Sequence, residues 1–303
     1  MFFDIFDLFD NEYYKYQSFN MMWVIMMLYG SVASFYYVIN AIDILMDLFV
    51  REALSFEHYG AGKVVTGCTD GIGKEMALQL ADKGFNIILL SRTPAKLEKV
   101  KEEIIMKGVE ARSYAVDFTK CTEVQWSEIK ELVQQEEVSV LVNNVGLCHE
   151  NPTFFDEEDQ DKCNDMVEVN VNTMMDLTRI VVPQMQHPYE LEPDGITVSH
   201  LLSFWVTSKM SGYREPTLSI PSPEQYVQRV FNRLGLKCGA SDSHTTLPYY
   251  PHSILNFVVS CLWDPVLAIP AHYSIARNLY TLGLLRQQRR KARHALAASR
   301  IQK

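Results

Sequence analysis

A glycine-rich turn at residues 66–73, Thr-Gly-Cys-Thr-Asp-Gly-Ile-Gly, constrains the fold of this chain more than any other feature. A short apolar run precedes the turn, and Ile72, Met76 and Leu80 follow it at helical spacing. A turn that joins a strand to a helix in this way brings backbone N–H groups close to a bound pyrophosphate. The pattern therefore predicts a dinucleotide site, with a glycine-rich loop that binds no ligand as the alternative.

Short apolar runs alternate with amphipathic stretches over the following residues. Strands are predicted at 64–66, 86–90, 113–116 and 138–142, and helices at 72–84, 94–108 and 124–134. Strands that alternate with helices form a parallel sheet covered on both faces, through right-handed crossovers. The predicted fold class is therefore α/β, a Rossmann-like doubly wound parallel sheet.

The end of the second predicted strand indicates which dinucleotide binds. An NAD-binding chain places Asp or Glu about 20 residues after the glycine turn, for the ribose hydroxyls. Here that strand ends with Ser91 and Arg92. A guanidinium suits a 2′-phosphate, so Arg92 favours NADPH over NADH, with a solvated surface arginine as the alternative.

The N-terminal part of the chain is typical of a membrane anchor. No charged side chain lies between Lys15 and Asp43, whereas a membrane span needs about 20 mostly apolar residues. Four acidic residues among the first twelve oppose a cleaved signal peptide, which begins with basic residues. We predict a retained helix at roughly 19–42; a cleaved signal and a buried soluble helix are the alternatives. Arg51 and Lys63 after the span favour a cytosolic main domain.

The C-terminal part contains a second apolar stretch, Ser253 to Ala271, which Asp264, Pro265 and Pro270 interrupt. These residues oppose a clean span and leave an interfacial or re-entrant segment, or an ordinary hydrophobic helix. A basic tail follows, with Arg286, Arg289, Arg290, Lys291 and Arg293. Basic residues attract anionic lipid headgroups, although a frayed, solvated terminus is the alternative. The predicted domains are an anchor (1–50), a dinucleotide-binding domain (51–250) and a membrane-associated segment (251–303).

Charge and cysteine content exclude other classes of function. The chain has 28 Lys and Arg against 37 Asp and Glu, a net charge of −9, which opposes nucleic-acid binding. Its six cysteines form no Cys-x-x-Cys pair, and we predict no metal site. Cys148-His149 is interpreted as ordinary loop residues.

Further strings resemble the short-chain dehydrogenase/reductase family. Asp117 follows the third predicted strand, and Asn-Asn-Val-Gly at 143–146 follows the fourth. VTSKM at 206–210 and PTLSIPSPEQYV at 216–227 extend the likeness. With the anchor, these strings resemble the very-long-chain 3-oxoacyl-CoA reductase branch and its steroid-dehydrogenase-like relatives, over residues 50–260.

The turn and the resemblance together imply a set of site residues. The cofactor-binding residues are Thr66, Gly67, Asp70, Gly71, Ile72, Gly73, Arg92, Asp117, Asn143, Gly146, Val206 and Ser208. Asn170 matches the family's catalytic asparagine, which holds a water in a proton relay, and Asn172 is a less favoured candidate. Ser208 replaces the usual threonine, and Ser203 stands where the family has proline.

The resemblance also exposes a gap. The family's reaction needs a serine after a fifth strand, and a tyrosine and a lysine four residues apart on the next helix, to position the carbonyl and to supply a proton. Tyr59 and Lys63 have that spacing but precede the glycine turn, so we interpret them as coincidence. Only 25 positions separate Asn170 from Gly195, where the family's sixth strand begins. We predict an incomplete sheet without the fifth strand and following helix, whose fourth strand pairs with the sixth or exposes an edge.

The function implied by the resemblance is NADPH-dependent reduction of 3-oxoacyl-CoA in very-long-chain fatty acid elongation. It implies the endoplasmic reticulum membrane, with the catalytic domain facing the cytosol. Its partners would be acyl-CoA, membrane lipid and other elongation proteins. Because Ser, Tyr and Lys are missing, we expect weak NADPH binding and little turnover, which leaves open whether the chain is an enzyme. The alternatives are a non-catalytic, membrane-anchored NADP-binding protein and a hydroxysteroid dehydrogenase.

Overall fold

The computed structural model divides the chain into two compact units, Met1–Arg51 and Glu52–Lys303. The structure describes residues 12–55, 63–66, 69–149, 158–185, 197–240 and 244–262. The division into three parts predicted from the sequence, with boundaries at 50 and 250, stays a prediction. The basic tail and the tyrosine at 59 lie outside the described residues.

The first unit contains one long helix, α1, from Glu12 to Phe49. Its stretch Met21–Phe49 has 29 residues, and the most apolar part has a mean hydropathy of 1.6 with no residue buried. At 1.5 Å per residue this stretch is about 44 Å long, more than the roughly 30 Å hydrocarbon core of a bilayer. Beyond the uncharged part, Arg51 pairs with Asp43 and Asp47 at 2.6 Å each. The predicted anchor is therefore a helix long and apolar enough to cross a membrane.

The second unit is built on a four-stranded parallel sheet. Its strands are β1 (Lys63–Thr66), β2 (Ile87–Ser91), β3 (Ala111–Ala115) and β4 (Val138–Val142), in the order β3-β2-β1-β4. In the register, Val65 lies beside Ile88 of β2 and Leu141 of β4. All four strands predicted from the sequence are present, and the α/β fold class is confirmed.

Helices follow the strands and cover the sheet. They are α2 (Gly71–Asp82), α3 (Pro94–Ile105), α4 (Glu123–Gln134), α5 (Gln160–Val167), α6 (Thr173–Met185), α7 (Pro223–Phe231) and α8 (Tyr250–Leu262). A π-helical turn, Glu168–Asn172, joins α5 to α6, and a 3₁₀ turn, Phe118–Lys120, follows β3. Two short strands complete the unit: β5 (His200–Leu201) and β6 (Thr245–Thr246).

Strand β2 divides the core into two layers. Its residues Ile87 to Leu90 are at most 1% exposed, and alternate side chains point to opposite faces. Ile87 and Leu89 pack with apolar side chains of α2, α3 and α7, among them Leu80, Leu97 and Val227. Ile88 and Leu90 pack with α4 and α6, among them Ile129, Leu177 and Val181. The continuous apolar run of β2 is therefore explained by burial on both faces of a parallel sheet.

Local signals in the sequence set the helix ends. Thr93 is the N-cap of α3 and Pro94 its first residue, as predicted, because proline lacks the N–H that would have no partner there. The helix ends at Ile105, before the predicted end at Gly108, which has a φ of +87°. Glycine adopts that conformation at little cost, so Gly108 belongs to the turn into β3.

The chain between α6 and β5 is short. Fourteen residues separate Met185 from His200, too few for the strand and helix that the resemblance requires. Thr197 and Val198 were expected in a sixth strand, but they are not in a strand, and Val198 is 65% exposed. A central strand of a parallel sheet is buried on both faces, so the exposed residues 197–198 do not form one. The strand forms at His200–Leu201 and pairs with β6 instead of β4, the first of the two expected partners for the edge of the sheet.

Among the described strands, β4 pairs with β1 alone and so ends the sheet. This agrees with the second of the two expected outcomes, an exposed edge next to the missing fifth strand. The four strands that precede the gap are present in their expected order, so the gap leaves the first half of the sheet in place.

Replacing Ile104 with alanine is expected to lower the free energy of unfolding by about 2 to 5 kcal/mol, because its buried side chain would leave a cavity. Ile104 is fully buried, whereas its neighbour Ile105 on the same helix is 50% exposed. Ile105→Ala is the matched control and should change stability by about 0.5 kcal/mol or less. Urea unfolding in detergent, followed by circular dichroism, measures both. Equal losses would contradict the inward face assigned to α3.

Candidate cofactor-binding site

A cavity of about 480 Å³ lies at the carboxyl ends of β1 to β4. In an open α/β sheet, ligands bind at this edge, where the chain crosses to opposite faces on either side of the first strand. Seven of the predicted cofactor residues line the cavity: Asp70, Gly71, Ile72, Arg92, Asp117, Gly146 and Ser208. Residues from five separate segments of the chain therefore meet in one site.

The glycine turn enters the cavity at the start of α2. Asp70 is the N-cap of this helix, and its carboxylate accepts a hydrogen bond of 3.0 Å from the Gly71 N–H. Gly71 has a φ of +58°, a conformation that residues with a side chain rarely adopt. A Cβ at this position would also lie 3.7 Å from the Cβ of Ser208. The turn therefore needs glycine for its backbone shape, and the helix N-terminus can favour an anion.

A lysine from a distant segment pairs with the N-cap of α2. The Lys209 ammonium donates to the Asp70 carboxylate at 2.7 Å, and this hydrogen bond lowers the pKa of Asp70. Both side chains line the cavity, and Lys209 is 80% exposed. The pair neutralises a carboxylate that would otherwise repel an anion at the start of the helix.

Two further cations lie where β2 ends. Arg92 and Lys96 line the cavity, one after the strand and the other in the first turn of α3. Ser91 hydrogen-bonds Thr69 at 3.0 Å between hydroxyl oxygens, which ties the end of β2 to the glycine turn. This corner of the site can therefore hold a phosphate in addition to the pyrophosphate.

Asp117 is held rigidly after β3. Its carboxylate accepts hydrogen bonds from the backbone N–H and the hydroxyl of Thr119, at 3.2 and 2.9 Å. Asp117 is the N-cap of the 3₁₀ turn, so the turn itself positions the carboxylate on the cavity wall.

Asn170 fixes the loop that follows β4. Its amide accepts from the Leu147 N–H and donates to the Leu147 carbonyl, both at 2.8 Å. A Cβ on Gly146 would lie 3.5 Å from the Asn170 amide oxygen. Leu147 and Gly146 line the cavity, so Asn170 acts on the site through this loop. Its π-helical turn is of a type that often occurs at functional sites, and its role in proton transfer stays a prediction.

The other predicted residues that the structure describes do not line the cavity. Asn143 donates to the Thr178 hydroxyl at 3.1 Å, which joins the end of β4 to α6. Val206 is 4% exposed in the core, and Gly73 is buried inside α2. Asn172 donates to Glu168 at 2.7 Å. Thr66 ends β1, and Gly67 lies outside the described residues.

Sequence reasoning missed two cations, Lys96 and Lys209. Lys96 carried a usable signal, since it falls in the first turn of the predicted helix, just after the strand end that carries Arg92. Lys209 carried none beyond its place in the string VTSKM, because it meets Asp70 from 139 positions away. The ion pair is a product of the tertiary fold.

The described wall of the cavity contains lysines but no tyrosine. Tyr226 is 1% exposed within the core, and burial raises the pKa of its phenol. A phenol that delivers a proton near neutral pH needs the opposite shift. Tyr226 therefore does not replace the missing tyrosine.

Comparison with known proteins agrees with this geometry. The short chain dehydrogenase family profile matches residues 63–202. The "Very-long-chain 3-oxoacyl-CoA reductase" of Coprinopsis cinerea is 32% identical over 286 aligned residues, which cover 79% of this chain and 84% of that protein.

Solved structures share the fold at low sequence identity. A protein from Pseudomonas syringae described as a short chain dehydrogenase has a TM-score of 0.55 and 18% identity, with 66% of this chain and 99% of that chain covered. A short-chain dehydrogenase from Sphingobium yanoikuyae, solved in complex with NADPH, has a TM-score of 0.50 and 16% identity, with 62% and 87% covered.

The alignment with the Coprinopsis cinerea protein leaves positions of that protein without a counterpart in this chain. It extends over 286 positions, whereas 79% of 303 residues is about 239. About 47 aligned positions therefore have no residue of this chain opposite them. This total is large enough to include a missing strand, a missing helix and their connections.

Replacing Lys209 with alanine is expected to weaken binding of NADPH about fivefold, because the Asp70 carboxylate would then repel the phosphates. The double variant Lys209→Ala, Asp70→Asn removes both charges and should restore most of the affinity. Fluorescence titration with NADPH measures each dissociation constant.

The matched control is Lys107→Ala, since Lys107 pairs with Asp82 at 2.6 Å outside the cavity and should leave binding unchanged. If the double variant binds as weakly as the single one, Lys209 contacts the phosphates directly and does not act by neutralising Asp70.

Proposed function

This chain belongs to the short-chain dehydrogenase family, within its very-long-chain 3-oxoacyl-CoA reductase group, and we propose that it binds NADPH in the cavity at the strand ends. Binding of a nicotinamide cofactor follows from the family. The single observation that carries the proposal is the meeting of the α2 N-terminus, Arg92 and Asp117 on one cavity wall. These residues supply an anion site, a guanidinium and a fixed carboxylate, the kinds of group that hold the phosphates and ribose of a dinucleotide.

The choice of NADPH rests on the end of β2. A carboxylate there would accept the ribose hydroxyls of NADH and repel a 2′-phosphate. Arg92 occupies the position after the strand, and Lys96 adds a second positive charge on the same wall. A guanidinium can form two parallel hydrogen bonds with the 2′-phosphate of NADPH. The ribose 2′-hydroxyl of NADH cannot accept such a pair.

The reaction of the group is reduction of 3-oxoacyl-CoA to 3-hydroxyacyl-CoA, which we assign to this chain as its ancestral chemistry. When bound, NADPH supplies the hydride, and the protein must supply a proton to the carbonyl oxygen and hold that oxygen in place. This chain offers Asn170 next to the site, but no tyrosine on the described wall. Loss of a positioned general acid typically costs about 10² to 10⁴ in rate. We therefore expect cofactor binding with little reductase turnover.

A non-catalytic NADP-binding role is the second candidate. Two observations favour it: the phosphate-binding residues are present, and the described cavity wall has no tyrosine to donate the proton. Such a protein would act through its cofactor-bound shape, for example on other elongation proteins. A hydroxysteroid dehydrogenase would need the same missing groups, so no residue described here favours it.

The N-terminal helix supports attachment to a membrane. Helix α1 has the length and composition of a span, and a reductase that acts on very-long-chain acyl-CoA has a lipid-like substrate. We place the chain in the endoplasmic reticulum membrane with the second unit in the cytosol. The basic residues that follow the span, Arg51 and Lys63, favour this orientation.

The variant Arg92→Ala is expected to bind NADPH about tenfold more weakly, a loss of about 1.4 kcal/mol, because one charge-assisted phosphate contact disappears. Its affinity for NADH should not change. Arg179→Ala is the control, since Arg179 is an exposed arginine that pairs with Asp176 on α6, outside the cavity. Equal loss for both cofactors would overturn the assignment of Arg92 to the 2′-phosphate.

The purified full-length chain is expected to bind NADPH yet to oxidise it no faster with a 3-oxoacyl-CoA than without it. Inserting a segment that carries Ser and Tyr-x-x-x-Lys in place of residues 186–196, taken from a relative with that motif, should restore turnover by at least about 10²-fold. The same insertion with the tyrosine changed to phenylalanine should stay inactive.

Substrate-dependent NADPH oxidation by the unmodified chain would contradict the loss of activity. Failure to bind NADPH at all would contradict the proposed site.

A further inference from the structure

Helix α8 exposes an apolar face to solvent. Ile254, Leu255, Val258 and Val259 are each 38 to 44% exposed. Their spacing of one and four residues places them on one side of the helix. A helix on the surface of a soluble protein normally carries polar side chains on this side.

The opposite face of α8 is already held by the core. Tyr249, at the helix start, donates from its hydroxyl to the Leu218 carbonyl at 2.9 Å. His252 is 1% exposed and lies 2.9 Å from the Ser219 carbonyl through Nε2, and Ser253 donates to the Cys238 carbonyl. No residue of Tyr250–Leu262 is charged. The core-facing side of the helix is therefore fixed by hydrogen bonds, and packing within the described residues does not cover its exposed apolar side.

Two aromatic residues adjoin this helix. The Phe204 ring lies 5.4 Å from the His252 ring and 6.3 Å from the Trp205 ring. Phe204 and Trp205 are 41% and 47% exposed. We define the α8 surface as Phe204, Trp205, Ile254, Leu255, Val258 and Val259. Apolar residues with tryptophan among them are typical of surfaces that enter the headgroup region of a membrane.

We propose that the α8 surface lies in the interfacial layer of the bilayer to which α1 anchors the chain. The inference rests on the proposed membrane attachment and adds a second contact, made by the dinucleotide-binding unit itself. The 13 residues of α8 extend about 20 Å, less than the hydrocarbon core, so this helix lies along the interface and does not cross it.

Charge in the sequence supports a lipid occupant. Residues 265–303 contain eight Lys and Arg and no Asp or Glu, in a chain whose net charge is −9. Such a basic segment is attracted to the anionic headgroups of a membrane. Its first basic residue, Arg277, follows the end of α8 by 15 positions in the sequence.

Photo-crosslinking in vesicles tests this contact with the full-length chain. The photoreactive residue p-benzoylphenylalanine replaces Leu255 or Val259 in protein reconstituted into phosphatidylcholine vesicles that contain phosphatidylserine and an alkyne-tagged lipid. Val32, in the middle of α1, is the positive control. Val124, which is 68% exposed on α4 but outside the α8 surface, is the matched negative control.

We expect lipid adducts at 255 and 259 several-fold above the yield at 124 and close to the yield at 32. Yields at 255 and 259 no higher than at 124, with adducts at 32, would overturn the inference and leave the anchor intact. Adducts to peptides of residues 263–303, mapped by mass spectrometry, would also overturn it, since the chain's own tail would then cover the surface. Missing adducts at 32 would instead overturn the anchoring on which the inference rests.

Discussion

Parallel pairing of β1 with both β2 and β4 is the constraint on which the rest of this structure depends. Because β1 lies between its two partners, the loops that follow all three strands meet at one edge of the sheet. The glycine turn, Arg92 and the loop held by Asn170 are far apart in sequence, yet they share one cavity wall or contact it. Burial of β2 on both faces holds the sheet in place, so the site is supported by the core and not by the loops alone.

In this fold, different parts of the chain bind the cofactor phosphates and deliver the proton. The first four strands and their helices supply the phosphate-binding half, and this half is present with its hydrogen bonds and charges. The proton-delivering half belongs to a later strand and helix, for which the 14 residues between α6 and β5 leave no room. Short insertions and deletions are tolerated where few contacts cross them, but this gap removes a strand and the helix that follows it. We therefore expect this chain to keep cofactor binding and to lose turnover, because only the proton-delivering strand and helix are missing.

Local signals predicted those parts of the fold that depend on neighbouring residues. Thr93-Pro94 marked the start of α3, and the mostly apolar run of β4, interrupted only by Ser139, predicted its bounds of 138 and 142 correctly. Contacts across the fold could not be predicted in this way. The Lys209–Asp70 pair joins segments 139 positions apart, and Asn170 reaches Leu147 over 23 positions. The strand expected at Gly195–Val198 was inferred by likeness to proteins with a fifth strand, and its position shifted once that neighbour was gone.

The π-helical turn between α5 and α6 has a consequence for how this region tolerates change. A π turn contains one residue more than an α turn, so it offsets the angular phase of the two helices by about 100°. Within this turn, Val169 faces the core and Asn170 faces Leu147. Deleting one residue from the 168–172 segment would allow one regular α-helix to form there. Asn170 would then rotate away from Leu147 and lose its hydrogen bonds to that loop. The structure of this junction therefore depends more on the number of residues in the turn than on their side chains.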